Sequence, residues 1–285
     1  MSEEIKKDEG RLAILAKIDE YERNGWFSKH LEDDPPTIPL TPDKVDYLNK
    51  KLKNKIATFF VNIGAKRFIK NLVKTGQLRI KEIKGIENFE KVRDKGLIIT
   101  CNHFNPFDNF AVHYALLPYM YKFGGKPALY KVIREGNFTN FPGLYGFFFR
   151  HCNTLPLSAN FSTMKEFMKS MNILLKRGEK VLVYAEQAMW WNYRKPRPLN
   201  PGAFKFAVDA NCPVLPIFIT MQDSSDIGPD GFPIQEYTMN FLEPIFPDSQ
   251  KSAKQNIEEM KNKNYEAWKK CYEDFYKIPL TYLTK

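Results

Sequence analysis

The stretch LIITCNHFNPFDNF, residues 97–110, decides the architecture. It begins with a short continuous apolar run of strand length, the pattern of a strand buried on both faces of a sheet. The run ends at Thr100, a polar loop follows, and Pro106 suits the first turn of a helix beginning near Asp108. Strand, loop and helix in that order place the loop at the carboxyl end of a strand, where open α/β sheets put their ligand crevice. Within the loop His103 and Asp108 form an H-x4-D arrangement. A carboxylate so placed accepts the proton of one imidazole nitrogen, fixes the tautomer and leaves the other nitrogen as a base for a hydroxyl. The same spacing also fits a loop histidine beside a helix-capping aspartate, and the motif alone does not separate the two.

Working outward, short apolar runs at 78–83, 128–133, 154–157, 181–185, 214–219 and 237–241 alternate with helical patterns at 108–119, 163–176 and 203–209. Alternation of this kind predicts an α/β fold with a mixed, largely parallel sheet flanked by helices. Residues 254–276, with Ile257, Trp268, Cys271, Tyr272 and Phe275 near helical spacing, form a closing helix. Upstream, residues 12–21 read as a short amphipathic helix, and DDPPTIPLTPD (33–43), with four prolines, reads as a stiff extended connector. The division expected is residues 1–77, an acidic arm, connector and basic amphipathic helix, followed by an α/β unit over 78–285.

The chain has 285 residues, 43% of them hydrophobic and 14% aromatic, enough for a full core, which excludes a disordered or collagen-like chain. Its four cysteines, at 101, 152, 212 and 271, show no C-x-x-C pairing, so reduced thiols in a cytosolic compartment are expected and a zinc ribbon is not. The opening residues MSEEIKKDEGRL lack the apolar core of a secretory leader. The most apolar long stretch, 56–73, is interrupted by Lys66, Arg67 and Lys70, which disfavours a spanning helix.

The net charge of +10 is not spread evenly. Residues 1–43 hold 6 basic and 11 acidic side chains, whereas residues 44–84 hold 12 basic and 2 acidic, a local excess of +10. Within that segment Ile56, Phe59, Phe60 and Ile63 follow helical spacing before the pattern shifts to Phe68, Ile69, Leu72 and Val73. Three readings remain open on charge alone: a membrane-surface helix, a helix packed on the core, and a nucleic-acid patch. Phenyl and aliphatic groups beside cations fit the headgroup region of an anionic bilayer, with Phe59, Phe60, Lys66, Arg67 and Lys70 as the contacting side chains.

There is no G-x-S-x-G elbow, P-loop, dinucleotide-binding glycine pattern or H-E-x-x-H. The sequence instead resembles the glycerolipid and lysophospholipid acyltransferase family. Asn102, His103 and Asp108 match its N-H-x4-D block, FPGLYGFFFRHCNTLPLS (141–158) its second block, VLVYAEQ (181–187) its third, and PGAFKFAVDANCPVLPIFI (201–219) a later G-A-F helix and proline-bearing strand. The resemblance covers about residues 78–245. It implies direct attack of a lipid hydroxyl on an acyl thioester, with His103 as general base and Asp108 as its orienting partner. Asn102 and Arg150 are implied to bind substrate, and Glu186 to help hold the acceptor or the catalytic loop. Acyl-CoA or acyl-ACP enters as co-substrate, no metal or redox cofactor is implied, and an anionic membrane surface rather than nucleic acid becomes the expected partner.

Two departures matter. The strand after the second block is followed by Ser158, Ala159 and Asn160 where the family carries arginine, and the third block reads Glu186, Gln187, Ala188, Met189 in place of E-G-T-R or E-G-S-R. Those arginines hold a phosphate in the family, a task suited to a guanidinium fork. Either Arg194, Lys195 and Arg197 replace them, or the acceptor lacks a terminal phosphate. Trp190 and Trp191 line the acceptor entrance or pack in the core. The resulting expectation is a cytoplasmic O-acyltransferase, peripherally bound to the inner face of the cell membrane. Its rivals are an inactive lipid-binding relative and a polyanion binder.

Overall fold

Leu97, Ile98, Ile99 and Cys101 are all shielded from solvent, which puts their strand at the centre of the molecule. The computed structural model describes residues 6–32, 35–120 and 128–284. Along the chain run α1 (Glu9–Arg23), a single 3₁₀ turn (Pro42–Lys44), α2 (Leu52–Lys74), β1 (Arg79–Lys84), α3 (Ile86–Glu90), β2 (Leu97–Cys101) and α4 (Asp108–Leu116). Then come β3 (Leu129–Ile133), α5 (Glu135–Thr139), α6 (Gly143–His151), β4 (Thr154–Pro156), α7 (Phe161–Lys176), β5 (Lys180–Val183), α8 (Gly202–Ala210), β6 (Val214–Ile227), β7 (Pro233–Phe241) and α9 (Ala253–Tyr276).

The strands form one sheet in the order β1-β7-β6-β2-β5-β3-β4. β6, β2, β5, β3 and β4 are parallel, and β7 turns back antiparallel on β6, with β1 parallel to β7. This is the mixed, largely parallel α/β sheet that the sequence alternation implies. Successive residues of β2 feed opposite layers. Leu97, Ile99 and Cys101 meet Val112 and Leu116 of α4, Phe89 of α3 and Leu72 of α2. Ile98 faces Phe167 of α7, Phe204 of α8 and Met260 of α9. Gly96 lets β2 start against the end of α7, since a Cβ there would lie 1.8 Å from the Leu175 carbonyl oxygen.

Three differences from the sequence reading have physical causes. β6 runs to Ile227 instead of stopping near residue 219, because its outer half, Gln222 to Asp226, is solvated and carries no apolar signal. The pairing with β7 continues nonetheless, and Arg79 clasps Asp226 at 2.7 Å. α6 was hidden because Leu144, Tyr145, Phe147 and Phe148 are all exposed, so it lacks a core-facing stripe. The residues before α2 are bound onto the α/β unit: α1 lays Ile18, together with Leu31, on Ala188 and Trp190. Connector residues 35–41 run extended across α5 and α7, where Glu135 accepts the Leu40 N–H at 2.7 Å and Thr163 donates to the Leu40 carbonyl at 2.8 Å. Asp33 and Asp34 of the connector, and residues 1–5 of the acidic arm, lie outside the described residues.

Candidate active site

β2 and β5 end side by side, and the loops that leave them, 102–108 and 184–197, build the site. Asn102 makes the transition out of the sheet. Its carboxamide donates to the Ile219 carbonyl at 3.0 Å and accepts the Ile219 N–H at 2.8 Å, extending the ladder with β6 as a backbone group would. Asn102 is therefore a fastening for the loop, a correction to its expected role in holding substrate.

His103 follows with its ring partly open to solvent, the side chain being 21% exposed, while Asp108 is 0% exposed. The imidazole Nδ1 lies 2.7 Å from Asp108 Oδ2. That oxygen also accepts the N–H groups of Phe104 at 3.0 Å and Asn105 at 3.3 Å. Asp108 thus closes the loop back on the first residue of α4, and with Nδ1 as the donor the Nε2 of His103 is left to accept a proton. Of the two readings of H-x4-D the pairing is the one realised: Asp108 partners the histidine and is the first residue of α4, whose N-cap position is Phe107 with no side-chain capping bond.

The backbone of His103 is clamped from the β5 side. Glu186, buried, accepts the His103 N–H on Oε2 at 3.0 Å and the Arg197 N–H on Oε1 at 2.8 Å. The His103 carbonyl accepts the Trp190 N–H at 3.1 Å, and the Phe104 carbonyl accepts the Asn192 N–H at 2.9 Å. Glu186 is in place as a loop-holding group, with both carboxylate oxygens occupied.

Tyr184 was not singled out by the sequence. It is the residue that follows β5, two positions before Glu186. Its ring stacks on the His103 imidazole, centroids 3.9 Å apart and planes 16° from parallel. Its hydroxyl donates to Asp108 Oδ1. Burial, then the Asp108 charge, holds this phenol well above its ordinary pKa.

Residues 81–220 match the acyltransferase family model. The chain carries an acyltransferase-family domain. Its fold is also that of the crystal structure of the 1-acyl-sn-glycerophosphate (LPA) acyltransferase PlsC from Thermotoga maritima, at 18% identity and a TM-score of 0.51, over 95% of this chain and 96% of that chain. Sequence comparison with curated proteins finds no match.

In this acyltransferase domain the other expected site residues are placed differently. Arg197 is 1% exposed and lies beneath the loop, donating to Glu186 Oε2 at 2.9 Å, the Phe27 carbonyl at 3.0 Å, and the Ala188 and His103 carbonyls. Arg194 reaches the β6–β7 hairpin, bonding Asp223 at 2.6 Å and Gln235 at 3.3 Å, and Lys195 bonds Glu22 of α1 at 2.6 Å. All three are engaged by the protein's own acceptors. Arg150 sits in the last turn of α6, before the start of β4, at the amino edge of the parallel strands and so at the opposite edge from His103. The position is a correction to its expected substrate role.

Ser158 bonds Glu135 at 2.8 Å and Asn160 caps α7 by accepting the Thr163 N–H at 3.0 Å, so the residues after β4 serve helix and connector. Gln187 adopts φ 66°, the left-handed region that favours the glycine of the family pattern. Ala188 is buried against α1, and Trp190 and Trp191 pack in the interior.

Proposed function

We propose that this protein is a peripheral membrane O-acyltransferase that moves a fatty acyl group from an acyl thioester, acyl-CoA or acyl-ACP, to a hydroxyl of a glycerolipid whose headgroup is not a bare phosphate. The observation that carries the reading is the His103–Asp108 pair: a solvent-reaching imidazole oriented at 2.7 Å by a fully buried carboxylate. In the reaction, Nε2 of His103 takes the proton of the acceptor hydroxyl as its oxygen attacks the thioester carbonyl carbon. The tetrahedral intermediate collapses, the carbon–sulfur bond breaks, and the imidazolium returns the proton to the leaving thiolate. The products are an ester and a free thiol. A base of this kind contributes about 100-fold to 10,000-fold in rate.

The acceptor class follows from the cations. Arg194, Lys195 and Arg197 are paired within the protein, and the positions that carry arginine in the family hold Ser158, Ala159, Asn160 and Met189. A lysophospholipid with a larger headgroup, or a glycolipid, fits such a site better than a phosphomonoester.

Membrane docking is supported by the surface around the loop. Among the described residues no helix is long and apolar enough to cross a membrane. Phe59 and Phe60 of α2 are exposed, Phe60 by 65%, and Gly64 of the same helix faces the Phe148 ring of α6, which itself exposes Leu144, Tyr145 and Phe147. Phe68 of α2 meets Phe110 at 5.8 Å, and Phe110 stacks at 5.6 Å on Phe107, which belongs to the catalytic loop. This apolar surface, flanked by exposed Arg67 and Lys70 and half-buried Lys66, reaches the edge of the site. Such a surface suits the inner face of the cell membrane, in keeping with four free thiols.

The test is transfer from a labelled acyl-CoA or acyl-ACP to lysophosphatidate, lysophospholipids and glycolipids, with wild type and His103→Ala. Transfer to a larger-headgroup acceptor and a loss of at least about 100-fold in the variant are expected. No transfer to any acceptor, or an unimpaired variant, overturns the reading in favour of an inactive lipid-binding relative.

A further inference from the structure

The residues around His103 include one whose chemistry the acyl transfer described above does not use. Tyr184 touches both members of the pair: the face of the imidazole, 3.9 Å between ring centres, and the carboxylate oxygen that His103 does not contact. Asp108 Oδ2 carries three N–H contacts, whereas Oδ1 carries the Tyr184 hydroxyl. We infer that Tyr184 is a positioning residue that sets both the orientation of His103 and the strength with which Asp108 holds its proton. The inference rests on His103 acting as base.

Two effects follow from one side chain. The stacked ring restricts rotation of the imidazole about its Cβ–Cγ bond, so that Nε2 keeps one direction while Nδ1 stays on Asp108. The hydroxyl, kept protonated by its burial and the neighbouring carboxylate, donates to the acceptor-only carboxylate and so disperses the negative charge of Asp108. A carboxylate with that donor removed stabilises the imidazolium more strongly. The imidazolium formed when His103 takes the hydroxyl's proton is then held more tightly, and the protonated ring is the form that cannot act as a base.

Tyr184→Phe keeps the stack and removes the donor. The expected result is an acid limb of the kcat/KM profile moved to higher pH by about one unit, with KM for the acceptor little changed. Tyr184→Leu removes the ring as well, and kcat falls further even on the alkaline plateau. Replacing Tyr184 by 3,5-difluorotyrosine, nearly isosteric and a stronger donor, shifts the limb the other way and covers the case in which Phe or Leu impairs folding. A change in packing alone moves no titration limb. An acid limb unchanged in both the Phe and the fluorinated proteins overturns the role of Tyr184 while leaving His103 as base intact. An active His103→Ala protein removes the underlying reading instead, so the two failures are told apart.

Discussion

Removing Arg197 should unfasten the loop that carries His103 and much of the fold beneath it. The guanidinium is 1% exposed and joins Glu186, Phe27, Ala188 and His103. Arg197→Met fills a similar volume yet leaves the Glu186 carboxylate buried without its cation and several carbonyls without a donor. Breaking one partner of a buried ion pair costs about 3 to 5 kcal/mol, a large part of the roughly 5 to 15 kcal/mol that holds a domain folded. In thermal unfolding the loss amounts to a fall on the order of 10 °C. The double variant Arg197→Met, Glu186→Leu removes both charges, and an apolar pair of matched volume often restores most of the stability. It should nonetheless stay inactive, because the His103 N–H loses its acceptor on Glu186. Urea denaturation of the three proteins, with acyl transfer measured on each, tests both halves. A single variant as stable as wild type, or a double variant that is stable and fully active, would refute the reasoning.

Stability should also depend on His113. Burial, then the charges of Lys131 and Lys66, pushes its pKa down to about 2 from the ordinary 6.5. The unfolded chain therefore takes up a proton below pH 6.5 that the folded one refuses, and stability falls as pH drops from 6.5 toward 2. Between pH 6.5 and 5 this group accounts for about 2 kcal/mol, and unfolding free energies of His113→Leu should decline by that much less over the same interval. For docking, Phe60→Ser combined with Leu144→Ser should lower flotation with anionic phospholipid vesicles by about tenfold and leave unfolding nearly unchanged, since both side chains are exposed. Vesicle binding equal to wild type would remove α2 and α6 as the docking surface.

The parts of the fold that announced themselves in the sequence are those in which local pattern and burial agree. LIIT at 97–100 and VLV at 181–183 have no solvated side, so their runs mark central strands, and the helix that opens at Asp108 is marked by Pro106 before it. His103 and Asp108 were legible because five positions of chain suffice to bring them together. Glu186 was legible only through the family pattern. The fate of Arg197 was not: whether a guanidinium beside a loop faces ligand or core depends on Phe27, on His103 and on Glu186 with Ala188, partners from three separate stretches. Arg150 misled for a related reason, since its place at the amino edge follows from the parallel pairing of β3 and β4 and not from its distance in sequence to the motif. Tyr184 was hidden by an ordinary strand pattern in which an aromatic residue has no need of a catalytic explanation.

The floor of the site joins distant stretches of chain. Phe27 packs edge-on against Tyr282 at 4.9 Å, Glu22 accepts the Leu283 N–H at 2.9 Å, and Tyr282 donates to the Pro196 carbonyl beside Arg197. Segments more than 240 positions apart therefore meet under the 184–197 loop. A chain emerging from the ribosome in order can form β2 and β5 early, but it cannot finish the support of His103 until residue 283 has emerged. Assembly of the site therefore waits on contacts distant in sequence, which makes it slow relative to the pairing of β2 with β5.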